Sequence, residues 1–366
     1  MQKKIILTGD RPTGKLHLGH YFGSLANRIK LQNQREQYQQ YIMMADMQAL
    51  TDNANNSAKV VASVEDLILD YYSVGLMSLD ENCPQSTVFL QSAIPALSEI
   101  TMYYMNLVSE GRVLRNPTIK SEKEQKKWQN NSIPFGFLAY PISQAADITA
   151  FQADLVPVGA DQLPMIELTN EIVNKFNNIY GSVLTPAQAL IAENSDLSRL
   201  LGIDGKQKMS KSLNNAIFLS DSKEEIRAKI NKMKTCTRHS LDMPGTLVDN
   251  TLFYFIEVVS NWLQINNIHH PLLSQIPIWK ARYINGGSDL VDYAKDTFLK
   301  DKLFELIDYI LAPIRSQREQ GLANINLLYK KIGQGNVKAN IIANNTLNKL
   351  KSALGLQYMK QWKIIS

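Results

Sequence analysis

The chain has 366 residues, of which 45% are hydrophobic and 20% charged, and its formal net charge is +5; these values are typical of a soluble globular protein with room for two domains. No apolar run approaches the roughly 18 residues of a membrane span, and the N-terminus lacks the order of a signal peptide, so we expect a cytoplasmic protein that does not associate with a membrane. The two cysteines, Cys83 and Cys236, fit neither a disulfide framework nor a zinc motif, and we predict no metal site.

The positive charge is concentrated in the C-terminal part of the chain. Residues 1–219 contain 19 Lys and Arg against 21 Asp and Glu, a net of −2, whereas residues 220–366 contain 20 against 13, a net of +7. Lysines and no acidic residue follow Glu319. A nucleic-acid backbone would select such a surface, although a solvated lysine-rich face is a common alternative.

A glycine-rich turn follows the first predicted strand. The apolar run at residues 5–7 predicts a short strand, and the following TGDRPTGKLHLGH predicts a turn and then a helix that begins near Leu16. Glycines let a backbone approach a nucleotide, and a helix N-terminus attracts phosphate. His17 and His20 would share a helix face, and Gly19 between them would leave a flat shelf for an adenine ring. Tight packing alone is the alternative explanation of the glycines.

The next elements alternate between strand and helix. Residues 41–44 and 87–90 predict buried strands, and the apolar spacing of residues 60–74 predicts a helix between them. This order is typical of a parallel sheet, whose ligands bind beyond the carboxyl ends of the strands. Asp46 and Gln48 follow the second strand and are expected to face that crevice, although Asp46 could instead cap the next helix.

A basic stretch then precedes a helix that buries a carboxylate. Residues 112–131 are poor in apolar residues, which predicts an exposed connection. Tyr140 and Pro141 open the predicted helix, whose inner face carries Gln144 and Asp147. Asp147 stands in an apolar setting, and a carboxylate there requires a hydrogen-bond donor.

A second polar turn follows the predicted strand at residues 154–158. Asp161 and Gln162 lie at the carboxyl end of that strand, where they suit the hydroxyl groups of a ribose. Residues 163–176 predict an amphipathic helix, and residues 185–192 return to the sheet.

A lysine-bearing loop and several helices complete the chain. Residues 206–212 predict a mobile loop, because little apolar surface is available to anchor it. The strand pattern stops beyond residue 220, and apolar residues recur with helical spacing at 223–234, 251–264, 293–310 and 322–332.

Two motifs in this order resemble the signatures of class I aminoacyl-tRNA synthetases. The tetrapeptide HLGH, at residues 17–20, matches the "HIGH" motif, and KMSKS, at residues 208–212, matches the second motif about 190 residues downstream. Two independent motifs at a plausible spacing are a stronger signal than either alone. The resemblance implies an α/β fold with a Rossmann-like, parallel-sheet nucleotide-binding domain at residues 1–219, an insertion near residues 110–135, and an α-helical, basic anticodon-binding domain at residues 220–366.

The segment YPISQAADI resembles the amino-acid pocket of tryptophanyl-tRNA synthetases. In that family its aspartate, here Asp147, accepts the indole N–H, which is a donor only. The resemblance also assigns Tyr140, Gln144 and Gln162 to tryptophan. The implied catalytic residues are His17, His20, Lys208 and Lys211. The implied ATP-binding residues are Arg11, Pro12, Thr13, Gly19, His20, Gly159, Asp161, Gln162, Lys208, Met209, Ser210, Lys211 and Ser212.

The reaction implied by this resemblance is the ATP-dependent activation of L-tryptophan to tryptophanyl-adenylate, followed by transfer to tRNA(Trp) with release of pyrophosphate and AMP. ATP would bring Mg²⁺ with it, and the family also implies a homodimer. The nearest alternative is a tyrosyl-tRNA synthetase, which has the same chemistry and a different pocket. A small-molecule adenylyltransferase shares the HxGH turn but uses no tRNA. A catalytically inactive, nucleic-acid-binding relative is a third alternative, which the intact motifs disfavour.

Overall fold

The computed structural model describes residues 3–126, 133–191, 197, 200–236, 243–285 and 295–358. Parts of three predicted segments lie outside these residues, namely 127–132, 192 and 293–294. Among the helices that are described, none is both long enough and apolar enough to cross a membrane.

Five parallel strands form the central sheet, in the order β3-β2-β1-β4-β5. Its middle strands are rich in buried Ile, Leu, Val and Met, as expected of a parallel sheet covered on both faces. The parallel sheet with its helices confirms the predicted α/β, Rossmann-like fold. The strands are β1 (Lys4–Asp10), β2 (Tyr38–Met44), β3 (Thr87–Leu90), β4 (Leu155–Val158) and β5 (Gln188–Ile191).

Helices connect the strands and make up the regular elements described after β5. Short 3₁₀ turns occur at Gln91–Ala93, Ala160–Gln162 and Pro271–Gln275, and a π-helical turn at Tyr21–Leu25 separates the first two helices. The α-helices are α1 (Leu18–His20), α2 (Ala26–Asn33), α3 (Asp46–Asn53), α4 (Ser57–Ser73), α5 (Pro95–Met105), α6 (Glu110–Leu114), α7 (Pro117–Gln125), α8 (Phe135–Ala150), α9 (Leu163–Tyr180), α10 (Lys223–Asn231), α11 (Thr251–Ile265), α12 (Ile276–Asn285), α13 (Asp296–Ala323) and α14 (Ile325–Ala353).

The strand register brings several turns to one edge of the sheet. Asp10 pairs with Met44, and Met44 pairs with Leu90, so β1, β2 and β3 end side by side. From β1 the sheet extends through β2 and β3 on one side and through β4 and β5 on the other. The ends of β1 and β4 therefore form the topological switch point, where open α/β sheets bind their ligands.

The last helix, α14, packs against the edge of this sheet. It shares a buried apolar core with β2 and β3. Asn336 Oδ1 accepts a hydrogen bond from the Leu90 N–H at 2.9 Å, and a Cβ added to Gly335 would lie 1.9 Å from the Val88 carbonyl oxygen. Residues near the C-terminus thus contribute to the core of the sheet, while the domain boundary at residues 219 and 220 remains a prediction.

Two predictions near the insertion were wrong. The described part of the basic stretch forms α6 and α7 rather than an exposed connection, because Val113 and Ile119 are buried in the core of the sheet domain. Helix α8 begins at Phe135, so Pro141 lies inside it and not at its start. Proline is best tolerated in the first turn of a helix, and this preference misplaced the predicted start.

The last two helices are longer than their apolar spacing predicted. α13 extends well beyond residue 310 and α14 well beyond residue 332. Pro313 and Gly321 lie inside α13, although both residue types are disfavoured in a helix interior, because tertiary packing overrides that preference. A Cβ on Gly321, for example, would lie 2.7 Å from the ring of Tyr72 on α4, so the glycine allows two helices to approach closely.

Candidate active site

The two sequence motifs are joined by backbone pairing. His17 forms an antiparallel bridge with Phe218, which follows the KMSKS motif. The Leu18 N–H donates to the Ile217 carbonyl at 2.8 Å, and the Leu219 N–H donates to the Leu16 carbonyl at 3.0 Å. Leu16 and His17 are therefore extended, and the helix begins at Leu18 instead of Leu16. This pairing fixes the HLGH turn against the segment that follows the lysine-bearing loop.

Lys211 reaches the HLGH turn directly. Its Nζ donates a hydrogen bond to the Gly14 carbonyl at 2.6 Å, and burial lowers the pKa of its ammonium group. Gly14 has a φ of 129°, a conformation that favours glycine. Lys208 is exposed, as is Ser212, while Ser210 is half-buried. Lys211 thus contacts the backbone of the turn, and Lys208 is near enough for its charge to help lower the pKa of His17 and of His20.

The loop that carries KMSKS is anchored, contrary to the prediction. Met209 is buried in the apolar core, and its N–H donates to the Leu200 carbonyl at 2.8 Å. Asn215 is also buried and accepts from the Ser210 N–H at 2.9 Å. A Cβ added to Gly202 would lie 2.1 Å from the Asn215 amide nitrogen. The sequence did not identify Asn215, although its place shortly after the motif is a usable signal.

The two histidines of the motif are in close contact, with their ring planes tilted by 46°, and both are neutral at physiological pH. Their ring centroids lie 3.8 Å apart, and His20 Nδ1 accepts from the His17 N–H at 3.2 Å. Burial, assisted by His20 and Lys211, lowers the pKa of His17 to about 2, and burial with Lys211 lowers the pKa of His20 to about 4. Neutral imidazoles offer hydrogen bonds to a phosphate without adding positive charge.

Gly19 permits the close approach of the His17 ring. A Cβ at this position would lie 3.1 Å from two atoms of that ring and 3.5 Å from Leu200. The glycine thus lets the His17 ring pack against it, and the adenine contact expected at Gly19 remains a prediction. Within the described part of the chain, the buried His17 Nδ1 has no hydrogen-bond partner.

A buried ion pair supports the turn from below. Asp10, the last residue of β1, accepts from Arg28 Nη1 at 2.6 Å and from Nη2 at 3.2 Å. The Tyr71 hydroxyl donates to the same carboxylate at 2.6 Å. Burial opposes ionisation, but the Arg28 charge outweighs it and holds the pKa of Asp10 well below its usual range. The sequence did not single out these residues, which fix the start of the turn.

The first part of the turn, directly before Gly14, consists of Arg11, Pro12 and Thr13. Arg11 is exposed and forms an ion pair with Asp52 at 3.0 Å, and Lys126 contacts the same carboxylate. Pro12 is buried, and the Thr13 hydroxyl donates to the Arg11 carbonyl at 3.5 Å. Arg11 is thus engaged at the rim of the crevice.

Asp147 is the centre of a second polar cluster, 1% exposed. Its Oδ2 accepts from Gln48 Nε2 at 2.7 Å and from Gln91 Nε2 at 2.9 Å, and its Oδ1 accepts from Gln91 Nε2 at 3.0 Å. Burial raises the pKa of Asp147 to about 7, although Gln91 favours the ionised form. The carboxylate therefore has the donors that the sequence required.

The partners of Asp147 differ from those that its neighbours in the sequence suggested. Gln48 faces this cluster, while Asp46 accepts from the Ser92 N–H at 2.9 Å. Gln144 is half-buried, and in the described residues the hydrogen bonds to Asp147 come from Gln48 and Gln91. The sequence missed Gln91 because it lies at the end of a different strand.

Tyr140 lies about two turns before Asp147 on α8 and is buried. Its hydroxyl donates to Glu122 Oε2 of α7 at 3.1 Å. Burial and the negative charge of Glu122 raise the pKa of the phenol well above its usual range. Tyr140 is therefore a neutral donor that links α8 to the insertion.

The turn after β4 is held by the insertion. The Thr118 hydroxyl of α7 donates to the Asp161 backbone carbonyl at 2.9 Å. Asp161 is exposed, and its carboxylate accepts from Gln162 Nε2 at 3.4 Å. Gln162 is half-buried, and a Cβ on Gly159 would lie 2.6 Å from Asp161 Oδ1. Asp161 and Gln162 thus stand at the switch point, at the end of the strand next to β1.

Comparison with known proteins gives consistent results. The family model for class I tRNA synthetases (W and Y) matches residues 2–299. The tryptophan-tRNA ligase of Lactococcus lactis is 46% identical over 362 residues, which cover 98% of this chain and 100% of that protein. The enzyme of the same name from Streptococcus agalactiae is 45% identical with the same coverage.

Solved structures share the fold along nearly the whole chain. Tryptophanyl-tRNA synthetase from Campylobacter jejuni, complexed with ADP and tryptophan, has a TM-score of 0.79 and 24% identity, and the match covers 96% of this chain and 99% of that one. The Mycoplasma pneumoniae tryptophanyl-tRNA synthetase has a TM-score of 0.72 and 25% identity, with 97% and 98% covered. On the family match and the identity over almost all of its length, this chain belongs to the class I tRNA synthetases for tryptophan and tyrosine.

Proposed function

We infer that this chain activates L-tryptophan with ATP to form tryptophanyl-adenylate and transfers the tryptophanyl group to tRNA(Trp). The observation that carries the inference is the backbone pairing of the HLGH turn with the segment after KMSKS, at the switch point of the sheet. The relatives named above, 45% and 46% identical, are tryptophan-tRNA ligases, which favours tryptophan over tyrosine. The tRNA step also distinguishes this proposal from a small-molecule adenylyltransferase.

We propose that the reaction depends on positioning and on charge stabilisation. The tryptophan carboxylate attacks the α-phosphorus of ATP, pyrophosphate leaves, and a terminal ribose hydroxyl of the tRNA then attacks the adenylate. Negative charge grows on the phosphate oxygens, where fixed donors stabilise it best. His17, His20, Lys208 and Lys211 are the proposed donors, and the unpaired Nδ1 of His17 is consistent with a site that a ligand completes. Mg²⁺ would arrive with ATP, held mainly by phosphate oxygens.

Lys211 is proposed to change partners during the reaction. Its ammonium group now donates to the Gly14 carbonyl, a neutral acceptor. A developing pyrophosphate is a stronger acceptor for the same donor, because both charges contribute. The lysine would then follow the leaving group and stabilise the transition state more than the bound substrate.

The remaining assigned residues are proposed to hold the nucleoside of ATP. Asp161 and Gln162, with the backbone at Gly159, suit the ribose hydroxyls. Arg11, Pro12, Thr13 and Gly19 line the first turn, and Met209, Ser210 and Ser212 line the loop that faces it. We propose that these residues meet the nucleotide in the crevice beyond the ends of β1 and β4, because open α/β sheets bind their ligands at the switch point.

Tryptophan is proposed to bind with its indole N–H directed at Asp147, near Tyr140, Gln144 and Gln162. The Oδ1 atom accepts one hydrogen bond, whereas Oδ2 accepts two, so Oδ1 has more capacity for another donor. Phenylalanine has no N–H and would leave this buried acceptor unpaired. A site that is built to bind a substrate N–H strongly rejects an analogue that lacks this group.

The tRNA is proposed to bind the basic C-terminal part of the chain. On α14, Lys330, Lys338 and Lys349 are exposed, whereas Lys331 and Lys351 form ion pairs with Glu81 and Glu99. Exposed lysines on one helix attract a phosphate backbone. We also propose a cytoplasmic homodimer, by analogy with the family.

Aminoacylation assays test the proposed function. Purified protein is incubated with ATP, Mg²⁺ and labelled tryptophan or tyrosine, each with tRNA(Trp) and with tRNA(Tyr). We expect label on tRNA only in the pair of tryptophan and tRNA(Trp). Charging of tRNA(Tyr) with tyrosine would instead support the tyrosyl alternative, and no charging of either tRNA would refute the proposal.

A further inference from the structure

A buried carboxylate on α4 holds the backbone of the HLGH turn. Asp70 is 0% exposed, and its Oδ2 accepts a hydrogen bond from the Leu16 N–H at 2.8 Å. Leu16 directly precedes His17, the first histidine of the motif. The position of Asp70 therefore bears on the position of the motif itself.

The same carboxylate is paired with a residue far along the chain. Arg318 of α13 contacts Asp70 Oδ1 through Nη1, and its Nη2 lies 2.6 Å from Asp66 Oδ1. Arg318 Nη1 also donates to the Asp66 carbonyl at 3.3 Å. A buried carboxylate that loses its cation is costly, so Arg318 stabilises the ionised form of Asp70. One arginine thus connects α13, through Asp70, to the turn.

Helix α4 holds both ends of the turn. Tyr71, the residue after Asp70, donates to Asp10 at the end of β1, while Asp70 accepts from Leu16. The contact between α4 and α13 is close, as the tight packing of Gly321 on Tyr72 indicates. A displacement of α13 would therefore be passed to the turn through few intervening atoms.

We propose that Asp70 and Arg318 are positioning residues, through which α13 sets the HLGH turn for the activation reaction. The inference rests on the proposed function, because it assumes that His17 and His20 act on ATP. It also predicts where the effect stops. Asp147 is held by Gln48 and Gln91, which belong to other elements, so tryptophan binding should be independent of Arg318.

The test compares Arg318→Met with Arg315→Met by tryptophan-dependent exchange of pyrophosphate into ATP. Arg315 is a matched control, since it lies on the same helix, has the same 14% side-chain exposure, and pairs with Asp308 instead of α4. Misplacement of a catalytic group by about 1 Å can cost about 100-fold in rate. We expect Arg318→Met to lower kcat by about 10- to 100-fold and to raise the KM for ATP, with the KM for tryptophan changed by less than about twofold.

Two further variants separate positioning from general stability. Arg318→Lys keeps a cation near Asp70 and should recover at least about threefold of the lost kcat, which a loss of packing alone would not explain. In an Asp70→Asn background, Arg318→Met should cost less than about twofold more, because residues that act as a unit are not additive. If Asp70→Asn does not fold, the lysine and methionine variants of Arg318 still decide the matter.

The outcomes are distinct. Equal kcat in Arg318→Met and Arg315→Met, or equal rises in the KM for tryptophan and for ATP, would overturn the positioning role. Losses that multiply in the double variant would overturn it as well. If the unmodified protein shows no tryptophan-dependent exchange, the proposed function fails, whereas normal exchange with indifferent Arg318 variants refutes only this inference.

Discussion

Replacement of Asp147 by asparagine tests the tryptophan pocket with almost no change in volume. In the native cluster, the side-chain amides of Gln48 and Gln91 both donate to Asp147 Oδ2. Asparagine can keep these two bonds only if its oxygen occupies the Oδ2 position. Its NH₂ group then occupies the Oδ1 position, where we propose that the indole N–H binds, and two donors face each other.

The cost follows from the unpaired groups. A buried donor left without an acceptor costs about 1–3 kcal/mol, which corresponds to about 5- to 150-fold in affinity at 1.4 kcal/mol per factor of ten. We therefore expect Asp147→Asn to raise the KM for tryptophan by that factor. The KM for ATP should change by less than about twofold, because the ATP site is built from other elements.

Pyrophosphate exchange at varied tryptophan and at varied ATP measures both constants on the same preparation. Phenylalanine serves as a second substrate, and its disadvantage relative to tryptophan should shrink in Asp147→Asn, since the variant no longer buries an unpaired carboxylate. A folded Asp147→Asn protein whose KM for tryptophan equals that of the unmodified protein would refute the assigned contact.

Three other predictions concern pH, catalysis and packing. Burial raises the pKa of Asp147 to about 7, so the carboxyl is protonated below that pH and is a weaker hydrogen-bond acceptor. The KM for tryptophan should therefore be about tenfold higher at pH 6 than at pH 8. A KM for tryptophan that does not change over this pH range would contradict the prediction. Lys211→Ala should lower kcat for exchange by about 10²- to 10³-fold with a much smaller change in the KM for tryptophan, and equal changes in both would count against its role. Gly335→Ala should lower the free energy of unfolding, measured by urea titration, by about 1–3 kcal/mol, because its Cβ would meet the Val88 carbonyl. Gly333→Ala, which has open space around its Cβ, should raise that free energy by about 0.5–1 kcal/mol. Equal effects of the two substitutions would contradict the packing of α14.

Local patterns in the sequence predicted the sheet and the turns that follow its strands. The apolar runs in β2 and β3 are short and bounded by polar residues, so their place was visible without tertiary information. Asp147 was found for a physical reason, because a carboxylate among apolar residues must have donors. The structure supplies those donors as Gln48 and Gln91.

Long-range partners could not be read from the sequence. Gln91 lies 56 residues from Asp147, and Arg318 lies 248 residues from Asp70, so no local periodicity connects them. Asp70 nevertheless stands in the apolar run LILDYY, and the reasoning that singled out Asp147 applies to it equally. The sequence therefore indicates that Asp70 needs a partner, whereas only the fold identifies that partner as Arg318.

The anchoring of the KMSKS loop and the length of α13 and α14 share one cause. Met209 was counted as part of a polar loop, yet it is buried. Glycine is disfavoured in a helix interior, yet Gly335 lies inside α14 and allows the helix to lie on β3. In both cases a tertiary contact determines the local structure, against the preference of the residue itself.

The most direct test of the account is amino-acid-dependent exchange of labelled pyrophosphate into ATP, run in parallel with tryptophan, with tyrosine and with no amino acid. The account predicts exchange with tryptophan alone. Exchange with tyrosine would keep the ATP site but contradict the pocket around Asp147, and exchange with neither amino acid would contradict the activation chemistry itself.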